Sequence, residues 1–360
     1  RSTLFPYTTL FRSLFIARGY AQTTTANTTK DTQVIDVVIV TAQRREENLI
    51  DVPIAVAAFS GEALERRQID QATDLQLNVP NVSFTKTNFT GSNFQIRGIG
   101  VSSVAASGDS GVEQHFNSMP VKNPRLFETE YFDVQRVEVL RGPQGTLFGR
   151  NTIGGAILLT TTDPGDEFGG KVRIGTGTDS LMDGFIGLDA PLSNTLKARF
   201  SFGIRKQDGY VERTDGTDLG DTDTFTGMTK WIWAPSDSVH VTFAGDYAKS
   251  DEHGSPLVFA AITETATFAR VASFDAGCPG MVNNAQAVPM IQDDRCANDL
   301  QARGPFRNNG TLPLESTLEN WGTSLKVQFD LSEAIELKSI SAYRDIRWTG
   351  ARDADNTPLT

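Results

Sequence analysis

Cysteine and histidine are scarce, two and three among 360 residues. His115, His240 and His253 are scattered and none stands beside a cysteine pair, so the spacing of a zinc site is absent. Basic charge is also short: 33 Lys and Arg against 44 Asp and Glu give a net charge of −11, which excludes the electrostatic footprint of a nucleic-acid binder. With 15 prolines beside 32 glycines, collagen-like and proline-rich disordered chains are excluded. No uninterrupted run of about 18 apolar residues occurs, so no membrane-spanning helix is expected. A membrane β-barrel stays open, because its strands alternate polar and apolar. No motif places a catalytic triad or a carboxylate pair, so no enzyme, cofactor or metal is expected.

What is present, 39% hydrophobic and 9% aromatic residues, suffices for ordered structure. Residues 1–13 resemble the translation of a sequencing adapter and are set aside. Residues 14–21, within LFIARGYAQ, fit the tail of a secretory signal with an A-x-A-like cleavage site. Residues 22–50 form a flexible polar segment interrupted by the β-branched run DVVIVT, Asp36 to Thr41. Residues 51–163 mix strand-like VPIAVAAF, helix-like GEALERRQIDQATDLQLNV with a cap at Ser60, and short Gly-punctuated strands, and read as one α+β domain. The polar run Glu113 to His115 weakens the case for a strand there, although Asn117-Ser118 can still turn.

From residue 164 to 360 the period becomes two. In LKARFSFGIR, Leu196, Ala198, Phe200, Phe202 and Ile204 alternate with Lys197, Arg199, Ser201, Gly203 and Arg205. Roughly seven such strands follow, joined alternately by tight turns and by long polar loops, the longest at 251–316. A soluble β-sandwich also alternates, but the loop asymmetry favours a barrel with the basic face toward a wet lumen. Trp231, Trp233 and Trp348 near strand ends fit an interfacial aromatic girdle. Cys278 and Cys296 share the long loop and read as a disulfide or as two free thiols. Gly142, Gly145, Gly149, Gly154 and Gly155 fit no phosphate-binding spacing, and tight turns explain them.

RVEVLRGPQGTLFGRNTIGGAILLTT, Arg136 to Thr161, resembles the plug signature of TonB-dependent outer-membrane receptors. DVVIVTAQRREENLIDVPIAVAAFSGEAL, LQLNVPNVSF and FQIRGIG agree in that family's order. The resemblance implies an α+β plug followed by about 7 of about 22 antiparallel barrel strands, the chain being the N-terminal part of a longer protein. It implies energised import of a scarce nutrient across the bacterial outer membrane: a ferric siderophore first, a saccharide or cobalamin as alternatives. A passive porin or adhesin and a soluble secreted binding domain remain rivals. Implied partners are TonB, outer-membrane lipid and the small ligand, and no nucleic acid.

By the same resemblance, Asp36, Val37, Val38, Ile39, Val40 and Thr41 form the TonB box, offering an extended strand to a partner's sheet edge. The alternative is that these residues are the plug's first strand. Arg97 and Arg141 correspond to plug arginines that face barrel-wall glutamates. Glu138 is Arg141's local alternative at i,i+3. Ser102, Ser103, Asn123 and Arg125 lie in the apical loops through which such plugs meet substrate.

Overall fold

The computed structural model describes residues 14–15, 39–42, 47–87, 91–100, 110–121, 123, 126, 129–254, 256–258, 306–310, 314–332 and 335–351. The N-terminal unit opens with β1 (Val56–Ser60), which runs directly into α1 (Gly61–Arg67). The helix starts where the Ser60 hydroxyl accepts from the Ala63 N–H at 3.2 Å, an N-cap. It stops at Gln68, whose φ of 54° is left-handed. The single helix expected over GEALERRQIDQATDLQLNV is therefore broken. The apolar period is interrupted so that Ile69 enters the core, and a 3-10 turn (Ala72–Asp74) and α2 (Leu75–Asn78) follow. The Asp74 carboxylate holds this corner by accepting from the backbone N–H groups of Asp70 and Gln71 at 2.9 and 3.1 Å.

The remaining elements of the unit are β2 (Val82–Thr87), β3 (Gly91–Ile96), β4 (Val112–Phe116), β5 (Met119–Val121), β6 (Val134–Arg141), α3 (Gly145–Phe148) and β7 (Gly155–Thr161). The five-stranded sheet has order β1-β6-β7-β4-β5, parallel only between β7 and β4, and β2–β3 is a separate hairpin. Both sheet faces are covered, which explains the near-continuous apolar run of β7. One face carries Val137, Val139, Ile157 and Leu159 against Leu64, Leu75 and Phe94. The other carries Leu140, Ala156 and Leu158 against Val40, Ala42, Val52 and Phe148.

The polar run at 113–115 is a strand after all. Glu113 and His115 are buried on the second face, 3.2 Å apart, and the His115 ring meets Phe148 edge-on at 5.2 Å. Asn117 and Ser118, with φ of 48° and 70°, close the β4–β5 turn, which requires left-handed backbone at both positions. At Gly155, φ is +153° and an added Cβ would collide with the Leu140 carbonyl, so β7 approaches β6 only because no side chain intervenes.

Seven long strands follow: β8 (Gly169–Thr176), β9 (Met182–Pro191), β10 (Leu196–Gln207), β11 (Thr222–Ser236), β12 (Val239–Glu252), β13 (Glu315–Ser332) and β14 (Ile335–Ala351). Each pairs antiparallel with the next, and Leu14–Phe15 lies along the outer edge of β8. The sheet is an open barrel wall. Turns of four and two residues join β9–β10 and β11–β12, and two residues separate β13 from β14, whereas residues 208–221 and 253–314 join β10–β11 and β12–β13.

Along β10, Phe202 and Ile204 are exposed while Arg199 and Ser201 are buried on the opposite face, the alternation expected of LKARFSFGIR. Outward aromatics form two rows. Trp231, Trp233, Phe243 and Phe329 stand near the tight turns, and Phe225, Tyr247, Trp321 and Tyr343 stand toward the long loops. Phe225 and Trp233 are separated by eight residues of β11, about 26 Å of strand. A tilt of about 40° reduces that to roughly 20 Å, near the height of an outer-membrane apolar band. Trp348 does not join them. It pairs with buried Leu318 on the inner face, because residue parity in β14 places even positions inward.

Candidate functional site: the plug–wall interface

The α+β unit sits against the inner face of the strand sheet, and the contact is made by charge. On β10, Arg199 donates to both carboxylate oxygens of Asp133, at 2.8 and 2.9 Å, and to Asp189 at 2.7 Å. Ser201 donates to the same Asp133. Asp133 adopts φ 46°, a conformation that Asp tolerates better than most residues.

Further along β10, Arg205 lies 3.1 Å from both Asp70 and Glu130. Those carboxylates come from separate segments stitched together by the Tyr131 N–H on the Asp70 carbonyl at 2.6 Å. At the β8 edge Lys171 and Arg173 meet Glu65. On β11, Lys230 reaches the Thr161 carbonyl at 2.9 Å and Asp163 at 2.5 Å. Apolar contacts fill between the charges: Phe132 on Phe185 at 5.4 Å, and Val121 and Leu126 on Leu318 and Ile346.

The polarity is thus acids on the inserted unit and bases on the wall. The basic face of LKARFSFGIR, expected to line a wet lumen, instead grips the plug. Arg97 and Arg141 take no part in this latch. Arg97 is exposed with φ 56°, its guanidinium beside Gly142. Arg141 is half-buried at the end of β6 with its Nε unpartnered, and its backbone N–H bonds to the Ala55 carbonyl. Among the described residues neither guanidinium meets a carboxylate.

The local Arg141–Glu138 pair does not form either. Spacing of three is a helical neighbour relation, whereas in a strand it points two side chains to opposite faces. Glu138 instead takes Arg136, two residues away on the same face, at 2.9 Å. Sequence reasoning missed Asp70, Glu130 and Asp133. The acid-rich ETEYFD segment was the available signal for Glu130 and Asp133, but nothing local names its partners, and Asp70 has no such signal.

Glu138 also organises the entry of the chain. It accepts from the Thr41 N–H at 2.9 and 3.0 Å and from the Thr41 hydroxyl at 3.0 Å. Val40 and Ala42 are fully buried beneath it, and Ile39–Val40 pairs antiparallel with Glu47–Asn48. The C-terminal half of the DVVIVT run is therefore docked on the plug sheet, whereas Asp36, Val37 and Val38 lie outside the described residues. So do Ser102, Ser103, Arg125, Cys278 and Cys296. Asn123 is half-buried, and its carbonyl accepts from the Leu126 N–H at 3.1 Å.

Burial pushes the Glu130 carboxyl up to about 7, against the opposing pull of Arg205 and with the help of neighbouring Asp70. A quarter of this side chain is accessible, and it faces an internal cavity. Asp74 is raised as well, chiefly by burial, with its two backbone hydrogen bonds opposing. The Tyr131 phenol is raised by burial and then by Asp74.

Comparison with known proteins places this arrangement. The family described as TonB-dependent Receptor Plug Domain matches residues 48–156. The chain is 28% identical to the vitamin B12 transporter BtuB of Vibrio vulnificus over 54% of its own length and 31% of that protein's. It is 29% identical to a hemin receptor of Yersinia pestis over 61% and 33%. It spans about a third of the length of these relatives. In fold it resembles the ferric yersiniabactin uptake receptor FyuA from Yersinia pestis, with TM-score 0.64, 19% identity, and coverage of 82% of this chain and 41% of that one. It likewise resembles the ferripyoverdine receptor of Pseudomonas aeruginosa, with TM-score 0.64, 13% identity, and coverage of 87% and 37%.

Proposed function

We propose that this chain, which carries the plug domain of a TonB-dependent receptor followed by wall strands of the same fold, belongs to an energy-coupled importer of the bacterial outer membrane. The observation that carries the reading is the plug itself, latched by Asp70, Glu130 and Asp133 to the inner face of a wall whose outer face is apolar. A passive pore has no use for a folded unit held inside it by breakable ion pairs. A soluble sandwich has no use for two outward aromatic rows.

Asp36 to Thr41 serves as the TonB box. Extended backbone from this run adds to the sheet edge of the inner-membrane partner, and strand propensity with access matters more than side-chain identity. Arg97, Arg141 and the apical residues Ser102, Ser103, Asn123 and Arg125 are the remaining candidates for plug and ligand contacts. The cargo is a ferric siderophore, in keeping with the receptors it resembles in fold, with hemin, cobalamin or a saccharide as the outcomes that displace it. No residue is assigned covalent chemistry.

The test is growth of a receptor-deficient strain on ferric siderophores, supplied with the full-length gene carrying the natural box or Val38→Pro. Proline removes a backbone donor from the added strand. Growth abolished by the proline supports energised import through the box. Growth indifferent to it refutes the coupling, and growth only on hemin, cobalamin or sugar replaces the cargo.

A further inference from the structure

A buried carboxylate is costly unless it is paired, and the Glu138 side chain is fully buried in the middle of β6. Its cross-strand neighbours, Ala58 on β1 and Leu158 on β7, offer no side-chain donor. Arg136 supplies one bond, from Nε to Oε1 at 2.9 Å. The other bonds come from the chain entering the plug. The Thr41 N–H donates to Oε1 and Oε2 at 2.9 and 3.0 Å, and the Thr41 hydroxyl donates to Oε1 at 3.0 Å. Among the described residues Oε2 has no other donor.

Hydrogen bonds to an ionised acceptor are roughly twice as strong as neutral ones. What else holds this segment is slight: the small side chains of Val40 and Ala42, and a ladder of two residue pairs with Glu47 and Asn48. Val40 and Ala42 are wholly buried. A second strand can therefore pair along the run as far as Thr41 only after these anchors lift and the Thr41 N–H leaves Glu138.

We propose that Glu138 is a positioning residue for energy coupling. It keeps the C-terminal half of the DVVIVT run docked on the plug and thereby sets how often that run is open to a partner strand. The consequence for coupling rests on the reading of Asp36 to Thr41 as the TonB box, whereas the docking does not.

Amide exchange of residues 39–42 in the full-length protein in detergent, read by mass spectrometry, measures the docking with no partner present. Glu138→Gln keeps the shape and removes the charge, and should speed exchange there about tenfold, equivalent to ~1.4 kcal/mol. Thr41→Val leaves the plug sheet untouched, removes the hydroxyl bond alone and should speed it about fivefold. Exchange in β6 and β7 should stay as it was. Less than a twofold change at 39–42 in both variants overturns the proposal, and so does an equal rise in β6 and β7, which would make Glu138 a brace of the sheet. A soluble periplasmic fragment of TonB is then titrated onto the natural protein and Glu138→Gln. Binding about tenfold tighter to the variant is expected, because the open fraction rises by that factor. Equal affinity despite faster exchange refutes control of access by Glu138. Failure of both proteins to bind the fragment refutes the box, and the exchange result still decides the docking.

Discussion

Asp133→Asn isolates the charge at the centre of the latch. Asparagine keeps the size of the side chain and accepts the left-handed backbone at φ 46°, so only the negative charge is removed. The Asp133 and Arg199 side chains are 5% and 7% exposed. Breaking a buried pair by deleting one partner typically costs about 3–5 kcal/mol, because the other charge is stranded. Here Arg199 keeps Asp189 at 2.7 Å, which brings the expected loss below that range, to about 2–3 kcal/mol of plug seating.

That loss corresponds to roughly 30- to 150-fold more frequent opening. Amide hydrogen exchange at β6 and β7 in the full-length protein, read by mass spectrometry, reports it. Wall strands should be unaffected in the same sample. Replacing the whole cluster, as Asp133→Asn and Asp189→Asn with Arg199→Met, should recover some of the loss, since no stranded charge is left. A change in exchange below threefold, or a combined variant as weak as the sum of the single ones, would refute the latch.

The carboxyl of Glu130 gives the interface a pH dependence. With its pKa raised to about 7 from 4.5, the folded protein holds a proton between those values that the unfolded chain has lost. Stability therefore falls as pH rises from 4.5 to 7 and levels off above, by at most ~3 kcal/mol. Glu130→Gln should flatten that slope in unfolding curves taken from about pH 5 to 8, and an unchanged slope would acquit the residue. Gly155→Ala should destabilise the plug by about 2–4 kcal/mol, because its Cβ meets the Leu140 carbonyl at a positive φ. Chemical denaturation measures it, and a loss under about 1 kcal/mol would contradict the close approach of β7 to β6. Phe202→Lys, on the outer face of β10, should cost about 2–4 kcal/mol in membranes, whereas indifference in a folding assay would mean that this face does not meet lipid.

Legibility differed between the two units for a physical reason. Each wall strand divides its residues between two unlike environments, so LKARFSFGIR announces its faces without help from any other segment. The plug sheet is buried on both sides, and there polarity stops being a guide. Glu113 and His115 look like solvent residues but are buried 3.2 Å apart beside Phe148. Helix α1 ends at Gln68, a residue of ordinary helix propensity, because Ile69 must turn into the core. Most of the latch is opaque to local reading: Asp133 and Arg199 are 66 residues apart and Asp70 and Arg205 are 135. Basic alternation on β10 was visible, but its recipient was a matter of tertiary register. Trp348 fails for a smaller reason, since one residue of parity separates a lipid-facing ring from an inward one.

The pairing of Ile39 with Asn48 also decides how the chain would yield to tension. Force applied before Ile39 and resisted after Asn48 meets the hairpin at its open end, so its hydrogen bonds break in succession instead of sharing the load. The Thr41–Glu138 bonds come next, with the small apolar anchors of Val40 and Ala42. Beyond them, the stretch from Ile39 to the start of β1 at Val56 can be drawn out to a span of about 55 Å before strain reaches the five-stranded sheet. The unit is thus built as a soft leader in series with a stiff body, and a weak, long pull does a different job from a strong, short one.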